Sequence, residues 1–161
     1  MAKFRLDEID HQILDMLIEN ARTPFTDIAK KLLVSAGTIH VRVKKMEDEG
    51  VIKGSTLTVD YDKMNYSFIA YIGLFIENSS FTSRVIDALY KIPEVTVAHL
   101  TTGKFAVFCK IRAKNTKHAK DIIFTIDDIP GVLRTETSIS LEEVINDKKR
   151  LMHAIFDDYK I

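Results

Sequence analysis

The run FIAYIGLFIE, residues 68–77, most constrains what this chain can fold into. It is almost continuously apolar and rich in aromatic and β-branched side chains, which suits a buried strand better than one face of a helix. As a helix it would be far too short to cross a bilayer, which takes about 20 residues. The segments after it change period in a fixed order. TSRVIDALYKI places Val85, Ile86, Leu89 and Ile92 on one helical face, and Pro93 ends it. VTVAHLTTG and FAVFCKI read as two strands joined at a turn containing Gly103. NTKHAKDIIFTIDDI puts Ala119, Ile122, Ile123 and Ile126 inward, Pro130-Gly131 makes a turn, and VLRTETSISLEEV alternates as a last strand. The order strand, helix, strand, strand, helix, strand predicts a split βαβ, ferredoxin-like unit with both helices on one face of an antiparallel sheet.

The chain before residue 60 has a different texture. Leu6, Ile9, Ile13, Leu14, Leu17 and Ile18 follow helical spacing, with Asp7, Asp10 and Asp15 on other faces. NART breaks that pattern. Thr23-Pro24 reads as a cap and first-turn proline for a second helix, with Phe25, Ile28, Ala29 and Leu32 or Leu33 inward. Val34-Ser35 is a short joint, Ser35 caps a third helix, and Gly50 ends it. VIKGSTLTV reads as a strand leading into the second half. Near the carboxy terminus, Leu151, Met152, Ile155, Phe156 and Tyr159 predict a short amphipathic helix that docks on the domain or on a neighbouring subunit. The expected organisation is residues 1–60, 61–145 and 146–161.

The third helix is the informative one. On a wheel of about 100° per residue, Ile39, Val43 and Met46 share a narrow arc that meets the first two helices. Gly37, His40, Val41, Lys44 and Asp48 occupy the opposite arc, with Thr38 and Lys45 on its shoulder. Small residues at its start (Ser35, Ala36, Gly37 and Thr38) allow close approach and leave helix amides for a phosphate oxygen. Thr38 and His40 suit base edges or phosphates, and an outward Val41 suits a thymine methyl group. Arg42, Lys44 and Lys45 are the expected phosphate contacts. The acids Glu47, Asp48 and Glu49 begin where a groove-bound helix would leave the duplex.

Charge sharpens this reading. The 161 residues carry 23 basic and 23 acidic side chains, a formal net charge of zero, so affinity for a polyanion has to come from local placement. Residues 1–60 hold nine basic and ten acidic side chains, a net of −1. One copy should therefore bind duplex weakly. A symmetric dimer, its modules about 34–36 Å apart to meet successive major grooves, would bind well. The single cysteine, Cys109, cannot form an intramolecular bridge and suits a reducing cytoplasm. The amino terminus lacks the apolar core of a signal peptide. His11, His40, His99, His118 and His153 are scattered without metal-ligand spacing, and there is no Gly-rich phosphate loop or HExxH. Neither catalytic residues, a metal nor a cofactor is expected.

LDEIDHQIL, NART and DIAKKLLVSAGTIHVRVKKMEDEGVI, then PEVTVAHLTTGKF and IPGVLRTETSISL, resemble the Lrp/AsnC (feast/famine) family of transcriptional regulators over residues 6–141. NART, VSAGTIHVRVKKM and the TTG-containing hairpin are more similar to the asparagine-responsive branch than to the leucine-responsive one. The resemblance implies an α+β fold: a winged-type helix-turn-helix domain followed by a ferredoxin-like dimerisation and effector domain, assembling as a tetramer of dimers. It places Ser35, Gly37, Thr38, His40, Val41, Arg42, Lys44 and Lys45 on the helix that reads double-stranded DNA.

HLTTGKFAVF corresponds in this resemblance to the family's effector loop, so Thr101, Thr102, Gly103, Lys104, Phe105 and Ala106 are effector-site candidates. The residues have merits of their own. Two hydroxyls, a glycine permitting close approach or positive φ, and consecutive turn amides suit a carboxylate. Thr135, Glu136, Thr137 and Ser138 of the last strand would complete a polar pocket across a dimer interface. Many family members carry an acid where Ala106 stands here, and Lys104 adds positive charge. A free amino acid is the expected effector, asparagine first. The alternative is an amino-acid-binding assembly protein whose helical domain contacts another protein.

Overall fold

Asp7 starts the first helix, α1 (Glu8–Glu19), by a reciprocal cap. Its carboxylate accepts the Asp10 N–H at 2.9 Å, while the Asp10 carboxylate accepts the Asp7 N–H at 3.1 Å. The chain turns through NART, where the Thr23 hydroxyl donates to the Asn20 carbonyl at 2.7 Å. Thr23 is therefore not the expected cap: Pro24, in extended conformation, takes that position ahead of α2 (Phe25–Leu32). Leu33 follows in the left-handed region (φ 57°) and is 92% exposed, so Leu32 alone turns inward. Ser35 caps α3 (Ala36–Asp48) as expected, accepting the Thr38 N–H at 3.0 Å. Gly50 (φ 72°) ends it in a conformation few other residues adopt easily.

These residues belong to the computed structural model, which describes residues 5–147 and 149–158. The chain divides into two units, one made of the chain up to Thr58 together with the part from Ile145 onward, the other of Val59–Val144. In the first, Ile13, Ile28, Ile39 and Met46 are wholly buried at the meeting of the three helices. Each such side chain contributes about 1.5–3 kcal/mol by leaving water. A further helix, α6 (Arg150–Asp158), adds Met152 and Phe156 to this core. Tyr159, expected on the same stripe, lies outside the described residues.

The second unit contains β1 (Phe68–Ile76), α4 (Thr82–Leu89), β2 (Val95–Leu100), β3 (Val107–Ala113), α5 (Thr116–Asp127) and β4 (Val132–Ile139). Its sheet has the order β2-β3-β1-β4 with every neighbour antiparallel, as the split βαβ reading predicts. Alternation then sorts the side chains. Ala70, Ile72 and Leu74 of β1 and Val107, Cys109 and Ile111 of β3 are buried with Val85, Leu89, Ala119, Ile122 and Ile126 of the two helices. Burial pushes the Cys109 thiol up to about 11, which suits a core residue and not a nucleophile.

Three expected strands differ from the observed ones. VIKGSTLTV forms no strand; Leu57 and Val59 are exposed, because a lone extended segment gains no ladder hydrogen bonds. β3 begins at Val107 rather than Phe105, since residues 101–106 form a loop closed by Thr101 N–H to Ala106 C=O at 3.1 Å. β4 stops at Ile139 instead of running to Val144, because its last partner on β1 is Ala70 and the neighbouring strand is nearly at its end.

Candidate nucleic-acid interface and effector face

α3 has the two faces its spacing predicts. Ile39, Val43 and Met46 are buried, whereas Gly37, His40, Val41, Lys44 and Lys45 are exposed, Val41 to 67%. Glycine inside a helix costs about 0.5–1 kcal/mol relative to alanine. A Cβ on Gly37 would meet only Ser35 Oγ, at an ordinary 3.7 Å, so internal packing does not ask for glycine there. Gly37, Thr38, Val41, Arg42 and Lys45 line a shallow depression of about 500 Å³ together with Arg5, Asp7 and Asp10. The Ser35 and Thr38 hydroxyls lie 2.8 Å apart at its helix-start end.

The three expected phosphate contacts are placed differently. Arg42 turns back onto α1: its Nη1 donates to Asp7 Oδ2 at 2.6 Å and Asp10 Oδ1 at 2.8 Å, with the Asp10 carboxylate only 9% exposed. Both acids thus cap α1 and anchor α3. Asp10, expected on an outer face, is buried for this reason. Lys44 Nζ pairs with Asp48 Oδ1 at 2.7 Å one turn on, and both stay exposed. Lys45 is exposed on the depression itself.

Electrostatics follow from these contacts. Partial burial works against the Asp7 carboxylate, but hydrogen bonds from the Asp10 N–H and Arg42 outweigh it and hold its pKa below the ordinary 3.8. Asp15 on α1 is lowered too, first by its hydrogen bond with His153 and then, against some burial, by Lys149. Hydrogen bonds to Asp7 and then Asp10 raise Arg42. Both carboxyls bind fewer protons folded than unfolded, so their stabilisation is complete above the ordinary carboxylate range and lost as pH falls through the lower folded values. Acid titration followed by far-UV circular dichroism should show Asp7→Asn and Asp15→Asn chains losing less stability below about pH 4 than the parent. Equal acid sensitivity would mean that these contacts do not form in solution.

The effector candidates occupy one end of the sheet. In the loop, the Thr101 hydroxyl donates to the Phe105 carbonyl and the Ala106 N–H to the Leu74 carbonyl at 2.9 Å. Thr102 and Lys104 are exposed. Gly103 does not take a positive φ, and a Cβ there would meet nothing within 4 Å, so the turn itself does not require it. Phe105 lies flat on Gly73, where a Cβ would fall 2.5 Å from its Cγ. Around it, Phe75 packs edge-on at 5.3 Å between centroids and Phe108 stacks at 5.8 Å.

Charge collects on the same face. Lys104 Nζ meets Glu136 Oε2 at 2.5 Å, Arg134 Nη1 meets Glu136 Oε1 at 2.8 Å, and the Arg134 guanidinium lies 3.7 Å from the Phe75 ring centre. The Lys104 and Arg134 hydrogen bonds hold Glu136 below its usual pKa. Register decides which other candidates join it. Glu136 lies opposite Gly73 and Ser138 opposite Tyr71, on the face of Phe105 and Phe108. Thr135 and Thr137 lie opposite Leu74 and Ile72, on the helix-bearing side. Glu136 and Ser138, not all four residues, therefore share the face of Phe105. Gly73, Phe75 and Arg134 are additions that the sequence reading missed. An isolated glycine in an otherwise bulky strand was the available signal.

Among the described residues no group of three or more His, Cys, Asp or Glu side chains could hold a metal ion, and no helix is long and apolar enough to cross a membrane.

A family model for winged helix-turn-helix DNA-binding matches residues 6–53, and one for the Lrp/AsnC ligand binding domain matches residues 69–149. The regulatory protein AsnC of Haemophilus influenzae is 36% identical over 87% of this chain and 94% of its own length. That of Escherichia coli K12 is 33% identical over 90% and 96%. The solved structure of E. coli AsnC superposes with a TM-score of 0.85 at 32% identity, covering 90% of this chain and 98% of that one. A Neisseria meningitidis transcriptional regulator solved in complex with L-Met shares the fold at a TM-score of 0.84 and 21% identity, over 89% of this chain and 95% of that one.

Proposed function

The chain belongs to the Lrp/AsnC family of transcriptional regulators, and from that membership we propose that it is a sequence-specific, amino-acid-responsive DNA-binding protein working as an oligomer in the cytoplasm. As in its relatives, the role is regulation and not catalysis. The observation that carries the proposal is the two-faced α3, whose exposed side presents Gly37, Thr38, His40, Val41 and Lys45 while its inner side completes the three-helix core. We assign reading to residues 1–60 and sensing and assembly to residues 61–145.

Support for assembly comes from the sheet. One face is covered by α4 and α5; the other carries the half-buried Tyr71, Phe75, Phe105 and Phe108. A second copy covering that face buries the aromatic side chains and gives a weakly charged reading module the two-site contact that it needs. Assembly of four such dimers is the larger form we expect. The effector is a free amino acid, asparagine first. With Ala106 unable to hold its ammonium group, Glu136 is the acid of this face best placed to do so, and loop amides and Lys104 suit its carboxylate.

Mobility-shift titrations of the full chain on duplexes selected from a randomised library test the DNA reading. Log affinity should fall linearly with log salt, and Lys45→Ala should flatten that slope by about 0.9 per bound copy, about 1.8 for a dimer, without changing the preferred sequence. His40→Ala should instead relax the preference at one or two base pairs, at about 1–3 kcal/mol each. Binding with neither salt dependence nor preference for paired half-sites would remove the proposal and favour a protein partner for the helical unit.

A further inference from the structure

α6 lies beyond both family models, the second of which stops at residue 149. It nevertheless belongs to the DNA-reading unit. Its contacts with α1 form a ladder that steps four residues at a time along α1 and, in the opposite direction, three or four at a time from Phe156 to Lys149. Phe156 stacks on His11 with ring centres 3.8 Å apart and planes 12° from parallel. His153 Nε2 meets Asp15 Oδ1 at 2.9 Å. Lys149 reaches Asp15 at 3.7 Å and also pairs with Glu19. Residues three or four apart share a helix face, so His11, Asp15 and Glu19 make one stripe of α1 and Lys149, His153 and Phe156 the matching stripe. Met152, one turn before Phe156, packs with it against the three-helix core. Apolar burial and three charged or aromatic rungs coincide along a single line.

The other end of this connection is β4, the strand carrying Glu136 and Arg134. The chain passes from the helical unit to the sheet unit near Thr58 and returns near Ile145, so the sheet unit is joined to the helical one at both of its ends. α1 in turn holds α3, because Asp7 and Asp10 grip Arg42. We propose that α6 is a coupling strap that ties the effector strand β4 to the DNA-reading helix by way of α1. A displacement of β4 is carried by covalent chain to α6 and by the ladder to α1, whereas a family member without such a helix has only the first linker to carry it. The inference rests on the DNA-regulator reading above.

The test uses the full chain. Phe156→Ala with Met152→Ala should speed amide hydrogen exchange over α1 about tenfold and leave exchange over β1 unchanged. Duplex affinity, measured on the selected sequences, should fall several-fold in the same protein. A second variant with six Gly and Ser residues inserted after Glu143 lengthens the connection without touching the ladder. It should keep parental exchange over α1 yet shift duplex affinity at least threefold. Parental exchange over α1 in the double variant would overturn docking, and unchanged affinity in the insertion variant would overturn coupling. A parental chain that binds no duplex at any salt would instead remove the regulator reading and the coupling with it, while the exchange result still decides whether α6 docks.

Discussion

Replacing Arg42 by alanine should destabilise the helical unit by about 2–3 kcal/mol and abolish measurable duplex binding. Removing one member of a fully buried ion pair costs about 3–5 kcal/mol, because the partner charge stays behind without compensation. Arg42 is 26% exposed and Asp10 only 9%, so solvent relieves part of that cost for Arg42 and little of it for the acid. Helical caps suffer as well, since Asp7 and Asp10 also close the start of α1. Chemical denaturation gives the stability change, and two further variants separate positioning from phosphate contact. Asp10→Asn leaves the guanidinium present and frees it for a phosphate. If Arg42 acts by anchoring α3, Asp10→Asn weakens duplex binding as well; if it acts by touching phosphate, Asp10→Asn binds at least as well as the parent. Arg42→Lys should recover part of the stability, lacking the planar fork that serves two carboxylates together.

The second large effect is expected at Gly73. Valine there would push a methyl-bearing Cβ into the Phe105 ring, which sits close enough that something has to move. Phe105 is the more mobile partner, because the strand is fixed by β3 and β4 on either side. Overpacking of this kind costs about 1–3 kcal/mol. Ejecting the ring also dismantles its packing with Phe75 and Phe108 and moves Lys104 away from Glu136. Sedimentation should show Gly73→Val shifted toward smaller species, and calorimetry should show it without heat on titration with L-asparagine where the parent binds. A parental assembly state with parental asparagine affinity would disconnect this face from both roles. Gly73→Ala is the milder comparison, since it places the same Cβ but no branch beyond it.

Much of the architecture was legible because it rests on period. Apolar residues of α1, α2 and α3 recur at helical spacing, and the wheel of α3 separated Ile39, Val43 and Met46 from Val41 and Lys45 as the structure does. What could not be read was pairing over long separation. Nothing local marks Asp10 as buried; its burial depends on Arg42, 32 positions later. VIKGSTLTV has the composition of a strand, but a strand exists only when another segment supplies hydrogen bonds, and composition does not identify that segment. The effector face shows a different failure. Polarity groups Thr135 to Ser138 together, although alternation along a strand allows only every second residue to share one face. Gly73 escapes a sequence reading for the opposite reason: a small residue amid bulky ones carries information through what lies on top of it, and Phe105 is 32 residues away.

Leu33 has a consequence for how such a regulator adapts. A leucine in left-handed conformation is held there at a cost of about 1–3 kcal/mol, and its side chain touches almost nothing that would repay it. The bend between α2 and α3 is thus enforced by helix packing on either side and by Val34 N–H bonding to Ala29 C=O at 3.0 Å. Position 33 becomes a dial for evolution: asparagine or glycine would tighten the joint and a β-branched residue would slacken it. Operator affinity can then be tuned through the rigidity of the corner, with every base-reading side chain left in place.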